Sequence, residues 1–488
     1  MKRIINSFRK PGWGKRAGAV LALSAMTAIA LPAQNFTTLF SFDKTDGGKP
    51  GAALVQGADG DFYGTTYVGG AHNHGTVFKI TSSGALTTLY NFCSQRGCAD
   101  GANPVGALVR TFSGEFFGVT LSGGANDLCG GGCGTVFSIT PSGTLTTLYS
   151  FCSHGNCTDG ANPEAGLVQA ANGNFYGTTE GGGANPDGTV FEITPTGTLT
   201  TLYSFCSQSK CTDGNYPYAG LVQAASGDLY GTTSAGGANR GGTIFKITPS
   251  GTLTTVYDFC SQSKCADGND SQTGLTLATD GALYGTTYMG GDSNFGTVFK
   301  VTPGGALTTL YSFCSQNNCT DGRNPAAGLV QATDGNFYGT TYGGVVNNYG
   351  TIFKISPGGT LTTLYRFQPT VGGNPVAALF QATNGDLYGT TQQWGANNWG
   401  TVFSLAVGLG TFVVTQPTGG NVGTVVKILG TDLAGATGVT FNGAAAVFEV
   451  VSSSEIITSV PAGATSGKVQ VATSTGTLSS NMGFRVLP

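Results

Sequence analysis

Seven aromatic side chains stand at loop positions that suit ligand binding. Three tyrosines directly follow a recurring "YGTT" motif, and the other four rings lie in the segments that come next: Tyr67, Tyr288, Tyr342, Phe295, Tyr349, Trp394 and Trp399. Exposed rings flanked by Asn and Gly are suited to stacking on sugars or anchoring a protein partner. We therefore expect these residues to bind a polysaccharide or a surface protein, with packing between structural units as the alternative explanation.

Twelve cysteines form six closely spaced pairs. Five pairs have the spacing C-x4-C and one has C-x3-C: Cys93/Cys98, Cys152/Cys157, Cys206/Cys211, Cys260/Cys265, Cys314/Cys319 and Cys129/Cys133. Structural zinc favours C-x2-C pairs grouped in fours, and the chain has only 3 histidines. We predict six local disulfides, which persist in oxidising compartments.

An aspartate followed by glycine recurs in the loops that come before six of the seven repeats. It is found at Asp46, Asp100, Asp159, Asp213, Asp267 and Asp321. Carboxylates and loop carbonyls suit calcium, but each loop offers one carboxylate, and Asp-Gly is itself a strong turn former. We expect turns and no cofactor, with Ca²⁺ as the alternative.

A glutamine recurs at one position of the repeat. It is found at Gln56, Gln169, Gln223, Gln331 and Gln381, with Arg110 and Leu277 at the two remaining places. A ring of amides around an axis can hold a polar ligand. The interpretation that we favour is that each amide satisfies backbone groups between neighbouring units.

Residues suited to catalysis are sparse. His72 and His74 flank Asn73 and could share a metal, but no neighbouring repeat supplies an obvious third ligand. No Ser, His and Asp are spaced to indicate a catalytic triad. We predict no catalytic residue and no metal site, and a binding or structural role in preference to an enzyme.

An internal repeat supplies the elements that position these residues. The heptapeptide "GTVFKIT" at 75–81 recurs with variations from residues 134, 188, 242, 296, 350 and 400. The clearest repeat, 327–367, contains strand A "GLVQA", strand B "FYGTT", strand C "GTIFKIS" and strand D "LTTLYRF". These segments are rich in β-branched and aromatic residues and are bounded by turn residues. Four such strands in about 50 residues indicate a β-propeller blade, with a parallel β-helix as the alternative.

The last repeat has no strand D. The chain ends this repeat at "GTVFSLA" (400–406), whereas a lone D-type segment, "NFTTLFSF", lies at 35–42. We predict that this segment pairs with strand C at 400–406 and closes the ring, which covers two sheet edges. The predicted fold is therefore all-β, with a seven-bladed β-propeller at 34–408 whose N-terminal strand completes the last blade.

The two faces of this ring differ. The B–C and D–A connections carry the long loops and every cysteine pair, so they form the predicted functional face, whereas the other face has only tight turns. An extracellular lyase, lactonase or glycosidase with its site at the channel mouth is the alternative function. Two or more carboxylates or histidines converging on the axis would favour that enzyme.

Residues 409–488 follow a different pattern, and short strands separated by Gly, Pro and Ser predict a small β-sandwich. This segment resembles the IPT/TIG immunoglobulin-like family through "GTVVKILGTDL", "VTFNG" and "VPAGATSGKVQV". Such domains commonly act as extracellular spacers or interaction modules. The "YGTT…GG…GTVFKIT" repeat over 35–406 resembles the GloVer repeats of bacterial "choice-of-anchor" extracellular proteins. That resemblance implies export and surface presentation without a defined activity.

The N-terminus and the composition indicate location. A basic segment precedes the apolar run "AGAVLALSAMTAIALPA", which predicts a signal peptide over 1–33, cleaved after Ala30 or Ala33. A membrane-anchoring helix needs about 20 apolar residues, more than this run has. The net charge of −3, with no basic cluster in the mature region, argues against nucleic acid as a partner. We predict a secreted or cell-surface protein without a membrane span after signal cleavage.

Overall fold

The fold is that of a computed structural model, which describes residues 34–344 and 348–487. The predicted signal peptide at 1–33 lies outside the described residues. The described residues form strands, turns and six single-turn 3-10 helices: Arg96–Cys98, Gly155–Cys157, Ser209–Cys211, Ser263–Cys265, Asn317–Cys319 and Leu433–Gly435. Within these ranges no helix has both the length and the apolar character needed to cross a membrane.

The strands are numbered along the chain. Those of the repeats are β1 (Asn35–Ser41), β2 (Val55–Gln56), β3 (Phe62–Thr66), β4 (Thr76–Ile80), β5 (Leu86–Asn91), β6 (Ala102–Pro104), β7 (Val109–Arg110), β8 (Phe116–Ser122), β9 (Thr135–Ile139), β10 (Leu145–Ser150), β11 (Val168–Gln169), β12 (Phe175–Thr179), β13 (Thr189–Ile193), β14 (Leu199–Ser204), β15 (Val222–Gln223), β16 (Leu229–Thr233), β17 (Thr243–Ile247), β18 (Leu253–Asp258), β19 (Thr276–Leu277), β20 (Leu283–Thr287), β21 (Thr297–Val301), β22 (Leu307–Ser312), β23 (Val330–Gln331), β24 (Phe337–Thr341), β25 (Thr351–Ile355), β26 (Leu361–Arg366), β27 (Phe380–Gln381), β28 (Leu387–Thr391) and β29 (Thr401–Ala406). Those of the tail are β30 (Val414–Gln416), β31 (Gly419–Gly420), β32 (Val425–Leu429), β33 (Ala436–Phe441), β34 (Ala444–Ala446), β35 (Phe448–Val450), β36 (Glu455–Ser459), β37 (Gly467–Thr473) and β38 (Gly476–Val486).

Seven sheets repeat the predicted order A-B-C-D, with every neighbouring pair antiparallel, and the second sheet also includes β6. The glycine of "YGTT" determines how strands B and C pack. A Cβ atom on Gly231 would lie 2.6 Å from the ring of Phe245. Glycine is therefore required here, because only a bare backbone lets that ring approach strand B so closely.

Buried apolar clusters join each sheet to the next. Seven such clusters connect successive sheets, and one of them connects the seventh sheet to the first. This last cluster contains Leu54 of the first sheet, Tyr388 of the seventh and Phe42, which is fully buried. The sheets therefore form a closed ring, and the predicted propeller is confirmed.

The predicted closing strand is also confirmed. Strand β1 pairs antiparallel with β29, from Asn35 opposite Ala406 to Ser41 opposite Thr401. The seventh sheet thus has the order β1-β29-β28-β27, built from both ends of the repeat region. Phe36 of β1 stacks on Tyr365 of the sixth sheet, with ring centroids 3.9 Å apart.

The tail forms the predicted β-sandwich. One sheet has the order β30-β32-β36-β35 and the other β31-β38-β37-β33-β34. Their inner faces share one core, which includes the buried residues Val426, Phe441 and Phe484. The alternation of apolar and polar residues along each strand produces this arrangement, because alternate side chains point to opposite faces.

The tail packs against the face of the ring that has the tight A–B turns, which we call the turn face. Ser454 Oγ donates a hydrogen bond to the carbonyl of Ala58, and Arg485 Nη1 donates one of 3.2 Å to the carbonyl of Ala225. A buried ion pair joins Arg110 in strand A of the second sheet to Glu455 in the tail. The opposite face, which carries the B–C and D–A loops and is called the loop face below, is left for other contacts.

The structure contains the six disulfides that the cysteine spacing predicts. The five C-x4-C pairs form disulfides with Cα atoms 4.0 Å apart, and Cys129–Cys133 has a Cα separation of 5.2 Å. Each C-x4-C bridge closes a short D–A loop around one of the 3-10 turns. The bridges therefore fix loops on the loop face.

Candidate functional site

A cavity of about 570 Å³ lies where the D–A loops of all seven sheets meet at the ring axis. Each loop contributes the residue four positions before strand A, which lies two residues after a residue with positive φ. These seven residues are Gly51, Val105, Glu164, Tyr218, Gln272, Ala326 and Val376. Pro104, Leu121 within β8, and two residues that directly follow strand B, Tyr67 and Gln392, complete the lining. We call this space the axial cavity.

One side of the axial cavity is more polar than the rest. Three consecutive sheets, the third to the fifth, contribute Glu164, Tyr218 and Gln272. The remaining four sheets contribute small or aliphatic side chains at the same position. Three hydrogen-bonding side chains are therefore adjacent on one wall, whereas Tyr67 and Gln392 line the cavity from the first and seventh sheets. A few polar groups among apolar ones are typical of a pocket that orients a ligand.

Two carboxyl groups meet on the polar wall. The Tyr218 hydroxyl donates a hydrogen bond of 2.9 Å to Glu180 Oε1. Burial, together with the neighbouring Glu180, raises the pKa of Glu164 to about 7. Glu164 can therefore donate or accept a hydrogen bond near neutral pH. The sequence predictions did not include Glu164, Glu180, Tyr218 or Gln272.

The raised pKa of Glu164 makes the stability of the protein depend on pH. Between pH 4.5 and 7 the unfolded chain has released this proton while the folded chain retains it, so the free energy of unfolding falls as the pH rises. After allowance for solvent screening, this fall in the free energy of unfolding is on the order of 1–2 kcal/mol in the wild type. We expect it to be absent in Glu164→Gln. Urea unfolding at several pH values measures the free energy of unfolding of both proteins. Glu192→Gln, which removes a carboxyl group on the turn face, is the control, and equal pH slopes in wild type and Glu164→Gln would contradict the expectation.

The three predicted tyrosines share one position, directly after strand B. Tyr67 lines the axial cavity. Tyr288 and Tyr342 belong to neighbouring sheets, and their backbone oxygens accept hydrogen bonds from the side-chain amides of Asn324 and Asn374. Burial, assisted by the neighbouring Tyr342, raises the pKa of Tyr288. One of the three is thus at the cavity wall.

Three other predicted residues, Phe295, Tyr349 and Trp399, end their B–C loops. The backbone oxygen of each accepts a hydrogen bond of 2.7 or 2.8 Å from a backbone N–H in the loop of the next sheet. The Arg323 guanidinium lies 5.4 Å from the Phe295 ring centroid, and the Lys44 ammonium lies 5.3 Å from that of Trp399. Cation–π contacts of this kind stabilise the junction between sheets.

Trp394, the seventh predicted ring, is held within the same part of the molecule. Its indole Nε1 donates a hydrogen bond of 3.1 Å to Asn374 Oδ1, and its ring packs edge-on against Tyr349 at 5.2 Å. All seven predicted aromatic residues are half-buried. The structure distributes them around the loop face and does not gather them into one platform, and four of them make the contacts between units that the packing explanation requires.

The recurring aspartates hold the D–A loops together. Asp213 accepts hydrogen bonds from the Tyr203 hydroxyl at 2.8 Å, from the backbone and hydroxyl of Ser207 at 2.9 and 3.0 Å, and from the Gln208 backbone at 3.3 Å. The same four contacts recur in the other cysteine-bridged loops, at Asp100, Asp159, Asp267 and Asp321. These donors support the turn interpretation of the Asp-Gly pairs.

The recurring glutamines connect neighbouring sheets. Gln223 Nε2 donates to the carbonyl of Gly227 in its own turn, and Gln223 Oε1 accepts from the Ala171 backbone of the preceding sheet. Gln331 Oε1 accepts in the same way from Thr279. These bonds match the interpretation that the amides satisfy backbone groups between units.

A propeller with a polar cavity at its axis and an immunoglobulin-like tail defines the class of this protein. The chain belongs to the Gloeobacter/Verrucomicrobia repeat family, whose model matches residues 17–156, 131–320 and 315–426. The IPT/TIG domain model matches residues 413–486. Both resemblances seen in the sequence are thereby confirmed. A search of curated proteins finds no match.

Solved structures with a similar fold include several enzymes. A fungal alcohol oxidase of the AA5 family, in complex with copper, is 13% identical with a TM-score of 0.51, covering 93% of this chain and 99% of that one. A gluconolactonase from Xanthomonas campestris is 12% identical with a TM-score of 0.38, covering 77% and 90%. A putative 6-phosphogluconolactonase from Bacteroides fragilis is 17% identical with a TM-score of 0.41, covering 67% and 86%. At these identities the oxidase likeness concerns the fold alone.

Proposed function

We propose that this protein is an exported, non-enzymatic binding protein whose axial cavity holds part of a polysaccharide. The observation that supports this most strongly is the composition of the cavity. One wall offers a carboxyl group, a phenol and an amide from Glu164, Tyr218 and Gln272, and Tyr67 adds an aromatic ring. A volume of about 570 Å³ also falls within the usual range of ligand pockets.

The chemistry of the polar wall suits a ligand with many hydroxyl groups. Glu180 is engaged by Tyr218, and Glu164 can donate or accept near neutral pH, so together they offer both kinds of hydrogen-bonding partner. The aliphatic side chains that line the rest of the cavity, such as Val105 and Val376, can contact the carbon face of a sugar ring. A protein loop with polar side chains is the competing partner.

The arrangement of the two domains supports a role in display. The tail contacts the turn face through Ala58 and Ala225, so the loop face points away from it. The disulfides fit an oxidising environment. Export through the segment 1–33 is part of this proposal.

A binding assay on the chain without residues 1–33 tests the proposal. The purified protein is incubated with insoluble polysaccharides and with bacterial cell-wall fractions, and the bound fraction is measured after sedimentation. We expect retention by at least one polysaccharide, with at least a tenfold loss of affinity in the double variant Glu164→Gln/Tyr218→Phe. Each substitution removes one hydrogen-bonding function at nearly constant volume.

The third sheet offers a matched control on the turn face. The Tyr176 hydroxyl donates a hydrogen bond of 2.7 Å to Glu192 Oε1, the same chemical pair as in the cavity. The variant Tyr176→Phe/Glu192→Gln should bind like the wild type. Retention on a protein fraction alone would replace the polysaccharide with a protein partner, and equal loss in both double variants would place binding outside the cavity.

A propeller enzyme, such as a lyase, lactonase or glycosidase, is the second candidate. The observation that favours it is the convergence of Glu164 and Glu180 near the axis, since a carboxyl group with a pKa of about 7 is suited to general acid–base catalysis. Turnover of lactones or aryl glycosides that Glu164→Gln abolishes, with binding retained, would establish the enzyme. Under the binding proposal, no turnover above the buffer rate is expected.

A further inference from the structure

Four cysteines from two loops come together beside the second and third sheets. The insertion "CGGGC" at 129–133 occurs in one B–C loop of the seven. The structure packs it against the following C-x4-C loop, and the sulfur atoms of Cys129, Cys133, Cys152 and Cys157 all lie within 4.8 Å of one another. The sulfurs of Cys129 and Cys152, which belong to different disulfides, are 3.8 Å apart.

The repeat explains why these two loops meet. In the first three repeats the residue before the "GT" of strand C lies beside the cysteine pair that follows strand D. His74 lies in this way within 4.8 Å of the sulfurs of Cys93 and Cys98. Asp187 occupies the same place beside Cys206 and Cys211. In the second repeat this position is Cys133. The insertion then adds Cys129, so the second repeat brings four sulfurs together where other repeats bring two sulfurs and at most one other ligand.

The positions of the four sulfurs suit a tetrathiolate. A zinc ion with four bonds of about 2.3 Å to sulfur has sulfur–sulfur distances of about 3.8 Å. Cys133 and Cys152 are buried, whereas Cys129 is exposed, so an ion can enter from one side. The two sulfurs of each bridge must move apart after reduction, and rotation about the cysteine side-chain bonds allows this.

We propose that this four-cysteine cluster is a redox-gated metal site, which binds one Zn²⁺ or a similar thiophilic divalent ion when both disulfides are reduced. Reduction of the two bridges takes four electrons and four protons from two equivalents of a dithiol, each of which becomes a disulfide. The metal then displaces the four thiol protons. In the oxidised protein the same sulfurs are disulfide-bonded, and no thiolate is available to the ion.

A cobalt titration tests this site without reference to any ligand of the axial cavity. The chain without residues 1–33 is reduced with a phosphine, which is removed under argon, and Co²⁺ is added. We expect one equivalent to bind stoichiometrically, with thiolate charge-transfer absorption and the visible bands of tetrahedral Co²⁺, and Zn²⁺ to displace it. Reoxidation should release the metal.

Two double variants identify the ligands. Cys129→Ser/Cys133→Ser leaves Cys152 and Cys157 as an ordinary C-x4-C pair, and it should weaken Co²⁺ binding at least 100-fold. Cys206→Ser/Cys211→Ser removes a pair elsewhere on the ring and should bind like the wild type. The proposal is overturned if the reduced wild type takes up no metal, if the first variant binds equally well, or if reduction abolishes the near-ultraviolet circular dichroism of the folded chain.

Discussion

A chain that starts at Asp43, and therefore lacks β1, is expected to lose the closed monomeric ring. Strand β29 would then expose its edge along Thr401–Ala406, where β1 normally pairs with it. Unpaired edges of this kind associate with other chains. The truncated protein should therefore form oligomers and melt at a lower temperature.

The size of the effect follows from the side chains that β1 and the next residue bury. Phe42 is fully buried in the cluster between the seventh and first sheets, and Phe36 packs on Tyr365 and Phe403. Loss of one large buried aromatic side chain costs about 3–5 kcal/mol. Phe36 is only partly buried and adds a smaller cost, so the total is a large share of the stability of a typical domain, about 5–15 kcal/mol.

Light scattering coupled to gel filtration, together with thermal melting, measures this outcome. A synthetic peptide with the sequence of residues 35–42 should restore the monomer when added to the truncated chain, whereas a scrambled peptide should not. Phe205→Ala is the matched control, because Phe205 is the equivalent of Phe42 in the third sheet and is equally buried. It should lower stability without causing association. A truncated chain that stays monomeric with an unchanged melt would show that β1 does not close the ring.

The sequence was sufficient to predict the ring and its closure because both depend on local patterns. Each strand type recurs in a fixed order, and an unequal count of D strands identifies the segment that completes the last sheet. The glycine of "YGTT" has a local cause as well, since Gly231 must admit the ring of Phe245 fourteen residues later. The cysteine spacing likewise involves neighbours in sequence.

The partners of the loop aromatics could not be predicted in the same way. Sequence placed Trp394 and Trp399 on the loop face, but their contacts with Asn374 and Lys44 depend on how loops from different sheets fold over one another. The sequence alone leaves both a binding role and a packing role open for such rings. The three-dimensional contacts show which rings are engaged.

The sequence contains only a weak indication of the polar wall of the axial cavity. Glu164 and Tyr218 occupy a position that is small or aliphatic in four other repeats, within a segment that otherwise varies little. A variable residue inside a constant motif can mark a site when the motif itself faces a shared axis. That interpretation needs the position of the axis, which the strand pattern does not give.

Almost nothing in the sequence predicts how the tail packs against the ring. The ion pair at the centre of this contact is the second place where a substitution should cause a large loss of stability. Arg110 replaces the glutamine that five other repeats have at this place. Its Nη2 lies 3.3 Å from Glu455 Oε2 and its Nη1 donates to Gln416 Oε1 at 3.2 Å. Both charged side chains are buried, with 4% and 7% exposure, and Lys427 approaches the other oxygen of Glu455 at 3.6 Å.

Arg110→Gln restores the residue of the other repeats but leaves the buried Glu455 with Lys427 alone. Removing one partner of a buried pair typically costs about 3–5 kcal/mol, because the remaining charge stays desolvated. We expect a loss near the lower end of this range and faster hydrogen exchange in the tail, over 413–486. The double variant Arg110→Gln/Glu455→Gln should recover most of the loss, since neither side chain then carries a charge. If instead the single variant matched the wild type in both stability and exchange, the ion pair would not be what holds the tail against the ring.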